Sequence, residues 1–227
     1  MMIVPMNESH VAQVAELEKI CFSDPWSEKS VASELSNPLS CWLVAEEDGL
    51  VAGYVGSQTV IDESDMMNVA VHPDHRRKGI AEKLVVELVE ALKKRGITVI
   101  THVILGLPGE SRAQMLETVR YVGQHTDGIK LQLLHVLRGT DLAEDYELGK
   151  FQTLELEEYC RLIADCLRHL PKEVVIHRLT GDGAKKDLIA PLWSGNKKNV
   201  LNTLNRILSE EDVQQGELTN PSESAIL

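Results

Sequence analysis

The chain has 227 residues, of which 43% are hydrophobic and 26% charged, a balance typical of a soluble globular protein with one large or two small domains. Its net charge of −12 argues against general binding to nucleic acid or anionic membranes, and instead suits a basic substrate such as an amine-bearing tail. The N-terminus lacks a basic stretch followed by an apolar one, and no apolar run approaches the length of a membrane span, so we expect a cytoplasmic protein.

The four cysteines show neither the spacing of zinc ligands nor that of a disulfide framework. They are Cys21, Cys41, Cys160 and Cys166. We expect reduced, buried thiols and no bound metal.

The first hundred residues predict two helices, three strands and a third helix. Asn7 and Ser27 are suitable N-caps for the first two helices. The strands are predicted over residues 41–45, 50–59 and 66–71. The third helix carries apolar residues at helical spacing from Ala81 to Leu92, and Gly96 is placed to end it.

The second half alternates strands and helices, which is typical of βα units. Strands are predicted over residues 98–105, 128–136 and 174–179, and helices over 110–122, 154–170 and 200–208. Because a helix links strands 66–71 and 98–105, we expect these two strands to be parallel neighbours. The polar tail over residues 209–227 is predicted to be disordered. The fold class is therefore α/β.

The segment between the third strand and the third helix has the character of an anion site. Gly79 removes a side chain where a phosphate oxygen would approach the backbone, and Ala81 stays small. The helix N-terminus supplies backbone N–H groups and positive potential. The flanking basic residues Arg76, Arg77 and Lys78 add charge, so a pyrophosphate is the matching ligand. A solvated basic turn is the alternative interpretation of the same loop.

Residues 1–97 resemble the GNAT N-acetyltransferases. Residues 66–96 are similar to motif A of that family, and the upstream segments are similar to the ribosomal-protein-alanine (RimI) type: ELEKICFSDPWSEKS and WLVAEEDGLVAGYVG. The resemblance implies a mixed sheet with flanking helices and transfer of acetyl from acetyl-CoA to an α-amino group, for example the N-terminus of a ribosomal protein. It also implies that the strand at Val69, Ala70 and Val71 binds pantetheine through its backbone. The loop residues that the resemblance assigns to the cofactor are Arg76, Arg77, Lys78, Gly79, Ile80, Ala81 and Glu82.

The resemblance ends where the family places its catalytic groups, a glutamate base and a tyrosine acid. By spacing from Gly96, the base position falls near Val103, which cannot accept a proton. His102 is adjacent, but on a strand it points to the opposite face. His102 and Tyr121 are therefore weak catalytic candidates, and a satisfied histidine and a packing tyrosine are the ordinary interpretations.

Residues 98–204 resemble instead the C-terminal half of a bacterial radical-SAM family of unassigned activity. The similar segments are THVILGLPGESRAQMLETVRYV, DGIKLQLLHVLRGTDLAEDYE and VVIHRLTGDGAKKDLIAPLWS. The resemblance implies βα units of a partial barrel, with residues 104–110 at a strand end near S-adenosylmethionine. The C-x-x-x-C-x-x-C motif that binds the iron–sulfur cluster of that superfamily is missing, so we expect no cluster. The chain is predicted to be a chimera, with domains over residues 1–97 and 98–208 and a tail over 209–227.

Three functions remain open from the sequence. The first is an N-acetyltransferase, weak or inactive because the usual base and acid are missing. The second is an acetyl-CoA binder without catalysis, or a fusion product. The third is a radical-SAM remnant without its cluster motif.

Overall fold

The computed structural model describes residues 1–60, 63–181 and 185–219. Contacts between residues divide the chain into two compact units, Met1–Val99 and Ile100–Leu227. Each hydrophobic cluster in the described residues is built from one unit. Among these residues, no helix combines the length and apolar character that crossing a bilayer requires.

The first unit is a four-stranded antiparallel sheet in the order β1-β2-β3-β4 with helices on both faces. Its strands are β1 (Met2–Pro5), β2 (Ser40–Glu47), β3 (Leu50–Val60) and β4 (Glu63–Val71). Its helices are α1 (Val11–Cys21), α2 (Glu28–Glu34) and α3 (Ile80–Lys94), with short 3-10 turns at Glu8–His10 and Pro73–His75. Strand β1 was not predicted from the sequence.

Alternating residues of β2 separate the two cores of this unit. Trp42 and Val44 pack under α1 and α2, whereas Leu43 and Ala45 pack under α3. This is the alternation expected of a strand covered on both faces. The predicted helix ends are confirmed: the Ser27 side chain accepts a hydrogen bond from the Ser30 N–H, and Gly96 has a φ of 78° after α3. Asn7 caps the 3-10 turn that leads into α1.

The second unit is built around a three-stranded parallel sheet in the order β5-β6-β8, beside a two-stranded antiparallel pair, β7-β9. Its strands are β5 (Ile100–Leu105), β6 (Gly128–Leu133), β7 (Val136–Leu137), β8 (Val175–Arg178) and β9 (Leu188–Ala190). Its helices are α4 (Arg112–His125), α5 (Asp141–Glu147), α6 (Leu156–His169) and α7 (Lys197–Glu210).

The expected pairing of strand 98–105 with strand 66–71 is wrong. Strand β5 pairs in parallel with β6 over its whole length, from Ile100 opposite Gly128 to Leu105 opposite Leu133. The crossover through α4 makes this pairing local, and alternate side chains of both strands enter one core with α6. Strand β4 is the last strand of the first sheet.

Two other expectations for the second half also need correction. The strand predicted over residues 128–136 is two strands, because Val136 turns away to pair with Ala190. The tail is ordered as far as the structure describes it, since the Gln215 side chain donates to the carbonyls of Pro171 and Val174 and the Gly216 N–H donates to Leu167. Residues 220–227 of that predicted tail lie outside the described residues.

Candidate functional site

A cavity of about 330 Å³ lies in the first unit where β4 ends and α3 begins. The end of β4, the loop that follows it, the first turn of α3 and the end of α1 form its walls. The lining residues are Cys21, Phe22, Val69, Ala70, Val71, Arg76 and Ala81. Five of these seven are residues that the family resemblance assigns to the cofactor.

The edge of β4 presents backbone groups to this cavity. The His72 N–H donates to the Ala52 carbonyl on β3 at 2.9 Å, and the Val71 carbonyl points the other way, where Arg76 Nε donates to it at 3.1 Å. Because successive residues of a strand direct their backbone groups to opposite edges, Val69 faces the same way as Val71. Among the described residues, β4 pairs only with β3, so the backbone groups of Val69 on this edge are open to a ligand with amide groups, whereas the Val71 carbonyl already accepts from Arg76.

The strand is also irregular close to the cavity. Asn68 lies opposite Gly56 and Met66 opposite Ser57, so that Met67 is an additional residue on β4. A bulge of this kind interrupts a ladder and increases the local twist, and it often lies beside a functional site.

The loop between β4 and α3 owes its shape to two residues in the left-handed region, Arg77 with a φ of 60° and Gly79 with a φ of 71°. Gly79 is the N-cap of α3 and supplies no side-chain acceptor to the first turn. A Cβ atom at Gly79 would meet only Glu82 Oε2, at 3.9 Å, so the backbone conformation favours glycine here and crowding does not. The uncapped N–H groups and the open space above them form an anion-accepting end.

The other predicted loop residues differ in what they can contribute. Arg77 and Lys78 are exposed and leave their charges in solvent beside the loop. Ile80 is only 2% exposed and packs under the sheet with Leu84, so it can offer a ligand its backbone but not its side chain. Glu82 places a carboxylate in the first turn of α3, where it stabilises the helix but would repel a bound anion.

Cys21 and Phe22, at the end of α1, were not identified from the sequence. Arg76 Nη2 lies 3.6 Å from Cys21 Sγ, and the thiol lies 3.8 Å from the Val71 carbonyl. Arg76 therefore joins the end of α1 to the end of β4 and forms one wall of the cavity. No motif marks this contact, because the two side chains are 55 positions apart.

A buried glutamate near this site was also missed. Glu18 has no exposed surface, and its carboxylate accepts hydrogen bonds from Asn68 Nδ2 at 2.7 Å, from the Trp26 N–H at 3.0 Å and from the Tyr54 hydroxyl. Burial, and then the hydrogen bond to Glu18, raise the pKa of Tyr54. Through these bonds Glu18 joins α1 to β3, to β4 and to the loop before α2.

The two weak catalytic candidates lie in the second unit. His102 is exposed on β5 with its Nδ1 3.3 Å from Gln132 Nε2, whereas Val103 is buried in the core, as the alternation predicted. Burial, then the charges of Lys130 and Arg178, lower the pKa of His102. The ring of Tyr121 packs on His125, with 4.9 Å between the ring centroids.

The other three cysteine thiols lack the exposure that a reactive thiol needs. Cys41, Cys160 and Cys166 are buried, and burial raises the pKa of Cys160 to about 11 and that of Cys166 to about 12. Within the described residues, no group of three or more histidine, cysteine, aspartate or glutamate side chains could hold a metal ion.

Comparison with family models divides the chain into two regions. Residues 11–109 match the family model of the acetyltransferase (GNAT) family, and residues 126–210 match the Radical_SAM C-terminal domain. The chain thus contains one region similar to each of these families, which is the resemblance predicted from the sequence.

Individual relatives also match only part of the chain. Over 132 residues the chain is 43% identical to the uncharacterized protein YtqA of Bacillus subtilis, which covers 58% of this chain and 41% of the relative. Over 81 residues it is 33% identical to the [ribosomal protein bS18]-alanine N-acetyltransferase of Escherichia coli, which covers 36% of this chain and 54% of the relative. The chain therefore spans about half the length, or less, of these relatives. The crystal structure of the Escherichia coli ribosomal-protein-S18-alanine N-acetyltransferase is similar with a TM-score of 0.41 and 21% identity, covering 65% of this chain and 74% of that one.

Proposed function

We propose that the first unit binds acetyl-CoA in the cavity beside β4. Two backbone features that lie close together carry this proposal: the open edge of β4 at Val69, and the uncapped start of α3 after Gly79. The amide groups of a pantetheine chain can hydrogen-bond to the strand edge, and a pyrophosphate can bind at the helix N-terminus. Arg77 and Lys78 add positive charge beside the helix end of a chain whose net charge is −12.

The reaction that we propose is acetyl transfer to the α-amino group of a protein N-terminus, of the ribosomal-protein-alanine type. A neutral amine attacks the thioester carbonyl, the new C–N bond forms, the C–S bond breaks, and the thiolate of coenzyme A leaves and takes up the proton lost by the amine. Holding the two reactants together supplies much of the acceleration.

The proposed transfer reaction needs a general base, and the described part of the cavity lining does not supply one. Among the described residues that line the cavity, none carries a carboxylate or an imidazole. Loss of a positioned base costs on the order of 10²–10⁴-fold in rate. We therefore expect turnover well below that of a complete acetyltransferase, and this same observation supports the second candidate function, an acetyl-CoA binder without catalysis.

The binding proposal is tested by calorimetric titration of the full chain with acetyl-CoA. Gly79→Trp should abolish binding, because a large side chain would fill the space above the first turn of α3. Gly49→Trp is the matched control: Gly49 has a φ of 80°, lies in the β2–β3 hairpin and has nothing within 4 Å of a built Cβ, so the backbone strain is comparable. Equal binding by both variants would contradict the proposed site.

Acetyl transfer is tested separately, by mass spectrometry of a peptide with an N-terminal alanine after incubation with acetyl-CoA and the protein. Slow acetylation that Gly79→Trp removes supports the transferase. Binding without acetylation supports the non-catalytic binder. The third hypothesis, a radical-SAM remnant, predicts heat on titration with S-adenosylmethionine, which the transferase does not.

A further inference from the structure

A second cavity, of about 270 Å³, lies in the first unit and shares no lining residue with the cavity beside β4. It opens beyond the end of β1, alongside the start of β2 and between the last turns of α2 and α3. Its polar lining comes from Glu34, Asn37, Ser40, Trp42 and Arg95. None of these residues has a role in the proposed acetyl-CoA site.

Trp42 gives this cavity an unsatisfied hydrogen-bond donor. The residue is only 6% exposed, and its ring stacks on Tyr54 with the planes 9° apart. In the part of the chain that the structure describes, the indole Nε1 is buried without a hydrogen-bond partner. A buried donor without an acceptor is destabilising and rare in folded proteins, and a ligand oxygen would satisfy this one.

Opposite charges line the same cavity without neutralising each other. Glu34 Oε2 accepts hydrogen bonds from Asn37 Nδ2 at 3.2 Å and from the Ser40 hydroxyl, which hold the carboxylate in place and leave Oε1 for a ligand. Arg95 Nη1 donates to the Ser40 carbonyl at 3.3 Å, so that the other guanidinium N–H groups can bind an anion. Within the described residues, no ion pair of 4.0 Å or less joins Glu34 to Arg95.

The rest of the lining is aliphatic. Leu35, Leu43 and Ala91 contribute apolar surface next to the two charges. A ligand that matches this lining carries a cation, an anion and a short apolar group within one small molecule.

We propose that this cavity binds an aliphatic α-amino acid in its zwitterionic form. Glu34 receives the ammonium group. Arg95 and the Trp42 N–H receive the carboxylate. The aliphatic side chain packs against Leu43 and Ala91, on the α3 side of the sheet. This site is independent of acetyl-CoA binding and goes beyond the proposed function.

Calorimetric titration of the full chain with L-leucine, N-acetyl-L-leucine and L-leucinamide tests the proposal on the unaltered protein. We expect leucine to bind, and each derivative to bind at least about tenfold more weakly, because acetylation removes the ammonium charge and amidation removes the carboxylate charge. Absence of heat with leucine up to millimolar concentration, or equal binding of all three compounds, would overturn the proposal.

Variants then locate the site. Glu34→Gln and Trp42→Phe should each weaken leucine binding about tenfold, since the first removes the charge and the second removes the N–H donor together with part of the indole ring. Glu28→Gln is the matched control, because Glu28 is an exposed residue of the same helix that does not line the cavity. Far-ultraviolet circular dichroism verifies that each variant is folded. Unchanged binding by both folded variants would place leucine elsewhere and refute this site.

Discussion

Cys21 differs from the other three cysteines in its exposure. It is partly exposed on the wall of the cavity beside β4, whereas Cys41, Cys160 and Cys166 are buried. Burial also raises the pKa of each of these three thiols, which lowers the fraction of reactive thiolate. Cys21 can therefore serve as a chemical probe that reports whether a ligand occupies this cavity.

We expect iodoacetamide to alkylate Cys21 before the other thiols of the native protein, and acetyl-CoA to slow this reaction by covering the cavity. Peptide mass spectrometry of samples taken over time measures the labelling of each thiol. In Cys21→Ser, the remaining labelling should be slow and should not respond to acetyl-CoA. Unprotected Cys21 at saturating acetyl-CoA would contradict the proposed location of the ligand.

The exposed ring of His102 contributes a small pH dependence to the second unit. Its pKa is lowered by burial first, then by the charges of Lys130 and Arg178, so the folded state binds a proton less readily than the unfolded state. The stability that the neutral ring contributes is fully present above the unfolded pKa of about 6.5 and is lost as the pH falls through 6.5 towards the folded value.

An NMR titration of the His102 ring should accordingly give a midpoint below about 6.5. Lys130→Gln should raise that midpoint, because it removes a neighbouring positive charge. A midpoint at or above about 6.5 would contradict the lowered pKa of His102. A midpoint that Lys130→Gln leaves unchanged would show that the charge of Lys130 does not act on the ring.

At the scale of elements, Glu18 is the main polar connection of the first unit. Its buried carboxylate serves three donors on three segments, namely Asn68 on β4, Tyr54 on β3 and the backbone of Trp26 before α2. The position of β4, which forms a wall of the proposed acetyl-CoA site, therefore depends on a side chain of α1.

Glu18→Ala should lower the free energy of unfolding of the first unit by about 3 kcal/mol, because it leaves the fully buried Tyr54 hydroxyl and two partly buried donors without their acceptor. Urea unfolding followed by tryptophan fluorescence measures the change. Glu16→Ala is the control, since its pair with Lys19 is more than 60% exposed on both sides, and it should change the stability by less than about 0.5 kcal/mol. Similar losses in the two variants would argue against the Glu18 network.

At the scale of the whole molecule, the two units have separate cores. Leu84 is fully buried under the first sheet and Leu131 is fully buried in the second, each in a cluster of its own unit. Separate cores imply separate unfolding units.

We expect Leu84→Ala to destabilise the first unit by about 2–5 kcal/mol and to leave the second unit unchanged, with the reverse for Leu131→Ala. Hydrogen exchange of the full chain, read peptide by peptide, reports each unit. Acetyl-CoA should increase protection in the first unit alone. Loss of protection throughout the chain in either variant would indicate a single cooperative unit instead.

The sequence alone predicted the features that depend on short-range interactions. The caps at Ser27 and Gly96, the helix over Ile80–Lys94 and the family resemblance of both halves were confirmed because periodicity, capping and turn conformation are encoded within a few residues. The alternation that separates His102 from Val103 was predicted for the same reason.

Only the tertiary structure decided which distant segments meet. Pairing of β5 with β6 rather than β4, the contact of Arg76 with Cys21, and the bonds of Glu18 to Tyr54 and Asn68 join positions that no local pattern relates. Strand pairing and cavity walls depend on how helices and sheets pack after they form, and many pairings satisfy the same local pattern. The sequence therefore predicted most of the helices and strands and the glycine loop, whereas long-range packing determined the pairing of the strands and the walls of the two cavities.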